Sequence, residues 1–351
     1  MFMGNVRSAI VYPAMAFLLF SLLCSDAAQA NRKTDVLTLY NGDHITGEIK
    51  SLRDGLLSFG TNAMGTISVE WKEVASVASD YFYELRLSNG ERLFGSIEHG
   101  DRPGAVTFED ARGRVAIEAL DITEIRPIEA KGLDRMDIYL SANYNFTKAS
   151  GVQQSEFNAD IDYADENAIT SLDSRLTLSA TDTDSSASSR VSFGRKSWTE
   201  NSRFFRNLSA GFESNDELGI EARYLVGLGV GRFLVDTNRQ RFSAGVGLQA
   251  LEERGADGKR RQSLEGVVGA QFATWRFDDP DLDLRLDAAL YPSLTRSGRL
   301  RADSSARLRW EIVSDLFWNL NAWGSFDSSS VDEEAKGEFD WGVTTGLGWS
   351  F

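Results

Sequence analysis

The end of the chain, Glu338 to Phe351, reads EFDWGVTTGLGWSF and leaves few folds open. Phe339, Trp341, Val343, Thr345, Leu347, Trp349 and Phe351 share one parity, and Glu338, Asp340, Gly342, Thr344, Gly346, Gly348 and Ser350 the other. Successive strand side chains point to opposite faces, so the alternation predicts a strand with one apolar face, aromatic at both ends, and one polar, glycine-rich face. Length separates the two settings in which such a strand occurs. A soluble strand runs about 5–6 residues, whereas a tilted strand crossing hydrocarbon needs about 9–11. Lipid on one side and a polar lumen on the other account for both faces; the edge of a soluble sandwich is the competing reading.

The same two faces recur through the last two thirds of the chain. Alternating stretches occur at Met136–Phe146, Phe157–Tyr163, Leu172–Leu178, Arg190–Lys196, Leu208–Phe212, Tyr224–Val230, Phe242–Leu248, Leu264–Phe272, Leu282–Ala288, Leu300–Trp310 and Leu316–Ala322. With the final strand they make twelve, an even number, as a single-chain barrel with both ends on one side requires. Ten or fourteen stay open, because Arg190–Lys196 and Leu290–Arg299 are weakly patterned. Short polar turns separate the stretches, among them DENA, TDTDSSASS, SNDE and ERGADGKRR. A soluble sandwich does not suit a polar face so densely charged. Trp275, Tyr291, Trp310, Trp318, Trp341 and Trp349 sit near strand ends, where amphipathic rings gather at membrane interfaces. The final strand is expected to close the barrel by pairing back to Met136–Lys148.

The start of the chain reads as an export signal over residues 1–30. Arg7 precedes an apolar run from Ala9 to Cys24, and Ala28-Gln29-Ala30 supplies the small-x-small cleavage pattern. Leu23 is too bulky for a lipidation box around Cys24. Cleavage after Ala30 leaves a chain without cysteine, hence without disulfides or thiol chemistry. No later stretch is apolar for the roughly 18 residues of a transmembrane helix.

Between signal and barrel the sequence repeats with an offset of 48: Leu37, Leu39, Asn41, Gly42, Gly47 and Ile49 recur as Leu85, Leu87, Asn89, Gly90, Gly95 and Ile97. Such self-similarity marks a duplicated structural unit. Asn-Gly pairs signal tight hairpins, and about five short bent strands per copy predict two tandem SH3-like or Sm-like β units, 31–82 and 83–130. A short polar joint, Pro127–Gly132, leads into the barrel domain, 131–351. The fold class expected is therefore all-β: a transmembrane antiparallel β-barrel of about twelve strands behind a doubled small β-barrel unit. Trp71, Tyr81, Phe82 and Tyr83 cluster where the copies meet, either packing the two cores together or forming an exposed platform for a glycan or peptide.

The inward parity carries the candidate site. Asp160, Asp162, Arg175, Arg223, Glu265, Asp283, Arg285, Asp303, Arg307 and Asp340 would line a lumen, either as a salt-bridged packing that closes it or as the wall of a narrow channel sorting small charged solutes. Catalysis is not expected: the only histidines, His44 and His99, lie in the front unit, and no neutral-range base follows them. No cofactor or metal site is expected, and Asp332, Glu333 and Glu334 read as a solvated loop. A net charge of -15 argues against nucleic acid as a partner. The partners expected are outer-membrane lipid, the barrel assembly machinery, and a periplasmic protein or cell-wall component at the front unit.

Two resemblances bear on this. The terminal aromatic with Trp341, Leu347 and Trp349 before it resembles the C-terminal assembly signal of bacterial outer-membrane barrels, so Trp341, Leu347, Trp349 and Phe351 are the candidate assembly residues. The run EARYLVGLGVGRFLVDTNRQRFSAGVGLQALEE from Glu221, with ESNDE at Glu213–Glu217 ahead of it, resembles the salt-induced outer membrane protein family over about Asp137–Phe351. That resemblance implies a barrel in the outer membrane of a Gram-negative cell and a link to osmotic or salt conditions; the even strand number, with both barrel ends on one side, puts the front unit in the periplasm. The resemblance carries over no catalytic residues and does not cover the front unit. A barrel predicts heat-modifiable migration: unboiled protein should run at a different apparent mass from boiled protein, and a soluble protein with unchanged mobility would overturn the fold.

Overall fold

A computed structural model describes residues 33–128, 135–147, 151–165, 167–181, 184–198, 202–216, 220–256, 258–329 and 336–349. The expected signal segment, the middle of the joint, the loop acids Asp332–Glu334 and the terminal Phe351 lie outside the described residues.

The front unit is built from β1 (Asp35–Leu39), β2 (His44–Arg53), β3 (Leu56–Gly60), β4 (Thr66–Glu70), a 3-10 turn Trp71–Glu73, β5 (Val74–Leu87), β6 (Arg92–His99), β7 (Ala105–Asp110), β8 (Gly113–Glu118), a second 3-10 turn Ala119–Asp121, and β9 (Ile122–Pro127). The repeat of the sequence is a repeat of pairing. Leu37 sits opposite Val77, and Leu85 opposite Ile125, so the first strand of each copy pairs with the last. Both Asn-Gly turns place their glycine at positive φ, +92° at Gly42 and +91° at Gly90, which a side chain would resist.

The copies are not separate beads. The boundary expected between residues 82 and 83 falls inside β5, one continuous strand that ends the first copy and begins the second, with a register shift between Ser79 and Phe82 where they join. All nine strands share one sheet and one hydrophobic core. Positions 48 apart touch each other. The Trp71 indole N–H donates to the Ala119 carbonyl at 2.6 Å, and the Tyr83 hydroxyl donates to the Asp35 carboxylate at 3.0 Å. Contacts between equivalent positions are what a local two-fold axis produces. Asp35 is fully buried, and it also accepts from the Ile49 N–H at 2.7 Å and from the Ser79 hydroxyl, so the buried charge is satisfied. Of the aromatic cluster, Trp71 and Tyr83 are core, Tyr81 packs against that core, and only Phe82 is exposed. The residues pack the copies together; they form no platform.

The second sheet comprises β10 (Met136–Thr147), β11 (Val152–Ala164), β12 (Ala168–Ala180), β13 (Ser185–Trp198), β14 (Phe204–Asn215), β15 (Ile220–Asp236), β16 (Gln240–Gly255), β17 (Arg260–Arg276), β18 (Leu282–Pro292), β19 (Leu300–Val313), β20 (Leu316–Ser329) and β21 (Lys336–Trp349). Twelve strands pair antiparallel, each with its sequence neighbour. They run from 11 to 17 residues, long enough to cross hydrocarbon with tilt. Several continue past the patterned stretches: β13 begins at Ser185, inside the serine run expected as a turn, and β16 extends to Gly255. Those ends are polar on both faces, so they left no alternation to detect.

The outward parity is apolar and open: Leu228 is 63% exposed, Val343 54% and Leu347 70%. A continuous surface of this kind belongs against lipid; a monomer in water does not tolerate it. The sheet curls so that β10–β13 and β16–β19 bound a common cavity.

The expected closure of the last strand on Met136–Lys148 is not formed: among the described residues no ladder joins β21 to β10, and side chains of both parities on these two strands are largely exposed. Each edge N–H or C=O left unpaired in hydrocarbon costs on the order of several kcal/mol, so bilayer insertion should drive the two edges together. Cys24 is the chain's one cysteine, which makes the test simple. Cysteine pairs placed in β10 (Ile138, Leu140) and β21 (Val343, Thr345) should give an intrachain disulfide in membranes, since a ladder brings Cα atoms to about 5.5 Å. Cross-links solely between chains, or none at all, would refute this closure.

Candidate functional site

The concave face carries three zones. At the end away from the front unit, ion pairs run from strand to strand. Arg190 bonds Glu213 at 2.7 Å, Arg223 bonds Glu213 at 2.9 Å and Glu253 at 2.6 Å, and Arg261 lies 3.5 Å from Glu253. Nearby, the fully buried Glu265 receives Arg301 at 2.8 Å and Gln249 at 2.7 Å, and Arg301 stacks over Tyr291. Antiparallel register explains this belt: Arg190 faces Glu213, Glu213 faces Arg223 and Arg223 faces Glu253 directly across successive strands.

Below it lies a waist of small residues. Gly229 faces Gly247 and Gly231 faces Gly245 across β15 and β16, and Gly245 faces Gly269 on β17. A Cβ at Gly247 would come within 2.5 Å of the Leu228 carbonyl. With side chains absent there, a cavity of about 660 Å³ opens, lined also by Asn207, Ser209, Gln271 and Asp303.

The third zone is the mouth, which the front unit covers. Four turns of the barrel grip it. Asn238, between β15 and β16, donates to the Leu120 and Ile122 carbonyls, both at 2.8 Å. Arg203, between β13 and β14, donates to the Ser88 carbonyl at 2.7 Å. Asp278, between β17 and β18, pairs with Lys72, and the Asp165 carbonyl accepts from Arg126 at 3.3 Å. Gly55 turns at φ +72° directly beneath Asn238 and Trp275; a Cβ there would lie 2.6 Å from the Asn238 carbonyl. Behind this contact lies a mixed-charge cluster. Asp54 meets Arg241 at 3.1 Å and Arg285 at 3.3 Å, Arg86 meets Glu124 at 2.9 Å and Asp236 at 3.1 Å, and Arg92 stacks 4.0 Å over Trp198. Burial opposes the charge on Glu124, but the guanidinium groups of Arg86, Arg53, Arg126 and Arg241 outweigh it and hold the carboxyl down to about 2. A cavity of about 1020 Å³ lies between this cluster and the barrel wall, and Lys196, Ser243, Gln271 and Asp287 line both cavities.

The residues expected from the sequence are spread over these zones and do not converge. Arg223 and Glu265 are in the belt, and Asp303 lines the waist, accepting from the Ser325 hydroxyl at 2.8 Å. Asp162, Arg285 and Arg307 line the mouth cavity, with Asp283 beside Arg285 at 3.2 Å. Asp160 faces Asp173 across β11 and β12, Arg175 bonds Asn158 at 3.0 Å, and Asp340 is exposed on β21. Trp341, Leu347 and Trp349 are exposed on the outward parity of β21. Two expected belt aromatics sit elsewhere. Trp275 is 3% exposed and donates to the Asn238 carbonyl at 2.7 Å, under the front unit, and Tyr291 lines the waist. Both lie on the inward parity, which position near a strand end does not reveal. His44 and His99 each bond a hydroxyl of a neighbouring strand, Thr38 and Ser76. Sequence reasoning missed Asp54, Lys196, Trp198 and Asn238, whose roles depend on the front unit meeting the barrel.

Long two-faced strands, an exposed apolar exterior and a charged concave interior define a transmembrane β-barrel of the outer-membrane type. Within that class the chain belongs to the family of proteins of unknown function DUF481, whose model matches residues 138–351. A NanC porin structure in a rhombohedral crystal form is similar at 7% identity with a TM-score of 0.35, covering 61% of this chain and 100% of that one. No curated protein matches.

The low pKa of Glu124 sets a pH window for the charge cluster at the mouth, chiefly through Arg86, Arg53 and Arg126 of the front unit and least through Arg241 of the barrel. A depressed carboxyl contributes stability that is present above its ordinary value of 4.5 and is lost as pH falls through about 2. Trp198 and Trp275 fluorescence should therefore report an intact charge cluster at pH 5 and its loosening between about pH 4.5 and 2. Glu124→Gln should remove that transition; an unchanged acid profile would show that Glu124 does not hold the cluster.

Proposed function

We propose that the protein is a gated pore of the Gram-negative outer membrane that passes small hydrophilic or ionic solutes, with the front unit as a periplasmic gate and no catalytic role. The observation that carries this is the docking of the front unit across one mouth of a lumen that otherwise holds two confluent cavities. Three readings support the periplasmic side. Residues 1–30 read as an export signal, an even strand number leaves both barrel ends on one side, and Trp349 pairs with Leu316 beside the Asp315 turn, at the end where the front unit docks. The resemblance to salt-induced outer membrane proteins adds osmotic conditions as the setting in which a gate would be used. A second reading, a non-conducting envelope protein whose front unit binds a periplasmic protein or cell-wall component, draws on the interstrand ion-pair belt, which narrows the far end.

Planar-bilayer recording separates the two. Wild-type protein should open rarely. A docking variant, Gly55→Leu with Lys72→Glu and Asn238→Ala, loses two hydrogen bonds and an ion pair and introduces a clash. It should open more often, by roughly tenfold or more if about 1.4 kcal/mol of docking is lost. A heat-modifiable docking variant that never conducts would sink the pore and leave the envelope-linking reading.

A further inference from the structure

We propose that the chamber between the front unit and the barrel wall binds small solutes bearing two or more carboxylate or phosphate groups. The proposal rests on the barrel reading but not on conduction. The chain as a whole carries -15, yet the chamber is lined by nine basic and six acidic residues. Its acids are largely engaged. Asp54 holds Arg241 and Arg285, Glu124 holds Arg86, Glu48 holds Lys50 at 2.7 Å, and Asp162 accepts from Ser171. Asp137, Asp162 and Asp287 have no ion pair among the described residues, Asp287 accepting from the Ser305 hydroxyl at 3.3 Å, and three cations are left without one beside them. Lys196 lies over the rings of Phe205 and Phe233 at 4.1 and 4.7 Å, and no carboxylate lies within ion-pair distance of it among the described residues. Arg307 and Arg53 likewise have no ion pair among the described residues, and Nη2 of Arg241 is buried without a hydrogen-bond partner.

These cations come from three directions. Lys196 stands on β13, Arg307 on β19 and Arg53 on the front unit, all lining one space. A volume of about 1020 Å³ is at the upper end of small-ligand pockets, roughly 300–1,000 Å³. A single-charged ion meeting one wall leaves the others uncompensated, whereas a solute with two separated anionic groups spans them. Guanidinium and ammonium donors form charge-assisted hydrogen bonds with oxyanions. A polycation would meet a net positive surface. Lys196 also lines the glycine waist, so an oxyanion held there sits at the passage between the two cavities.

The test is calorimetric titration of the full chain, folded in detergent, with citrate and with inorganic pyrophosphate, and with spermidine as the opposite charge. Both oxyanions should bind, spermidine should not, and Lys196→Gln with Arg307→Gln should weaken oxyanion binding about tenfold or more, or about 1.4 kcal/mol. Heat-modifiable migration confirms that the variant is folded; Arg307→Gln alone, at an exposed side chain, serves if the double variant is not. No oxyanion binding by the wild type, equal affinity in the folded variants, or spermidine binding as tight as citrate would each overturn the proposal. A barrel that conducts but binds no oxyanion removes this site and leaves the pore, and one that binds citrate without conducting does the reverse.

Discussion

Hydrocarbon offers no partner to a backbone N–H or C=O, and most of the structure follows from that. It requires the chain from Met136 to Trp349 to form one uninterrupted succession of antiparallel ladders. It places irregular backbone only at strand ends, and on the outward parity it keeps charge to those ends, as at Arg232 over the Phe204 ring. Away from the strand ends the charges must then gather on the concave side, where the spacing of two along a strand and direct pairing across strands bring opposite signs together. The Arg190–Glu213–Arg223–Glu253 belt is this consequence made visible, and Glu265, wholly buried, is tolerable because Arg301 and Gln249 both bond it.

The front unit solves a different problem, how a nearly two-fold object attaches to a rim without that symmetry. Its copies agree in pairing and in their Asn-Gly turns but diverge where they meet the barrel. Gly90 presses on Arg203, while its counterpart Gly42 has open space around it. Gly55 nests under Asn238, while the corresponding part of the second copy carries Arg102 and Pro103. Equivalent positions have thus taken different duties, as Asp35 and Tyr83 have in the shared core. Fusion through β5 keeps the copies from moving independently, so contacts made by either copy hold the whole unit over the mouth.

What the sequence disclosed follows the range of the interaction responsible. Parity is local, so the strands, their faces and the strand number were legible, and so was the duplication. Strand ends such as Ser185–Ser189, polar on both faces, were not, because nothing apolar marks them once they leave lipid. Trp275 and Tyr291 looked like belt residues because proximity to a strand end is legible and facing is less so. The docking contacts had no trace at all: Lys72 with Asp278 and Asp54 with Arg285 join residues some two hundred positions apart, each an ordinary surface residue in its own segment. Lumen acids and bases could be named individually, but not their partners, and the partners decide which charges remain available.

That remainder gives the lumen its electrical character. In the far belt each base named has an acid beside it, so the belt contributes structure and little field. At the waist the glycines contribute space. At the docked mouth Lys196 and Arg307 have no ion pair among the described residues, and Arg53, exposed like Arg307, lends its charge to Glu124 without an ion pair of its own. One of those cations belongs to the front unit, as do Arg86 and the Glu124 that engages it. On the proposed reading, gate and filter are therefore not separate devices: the unit that covers the mouth also supplies part of the charge that selects what passes. A barrel alone could be wide or narrow, but on that reading its preference between anions and cations at this end is set by what docks there.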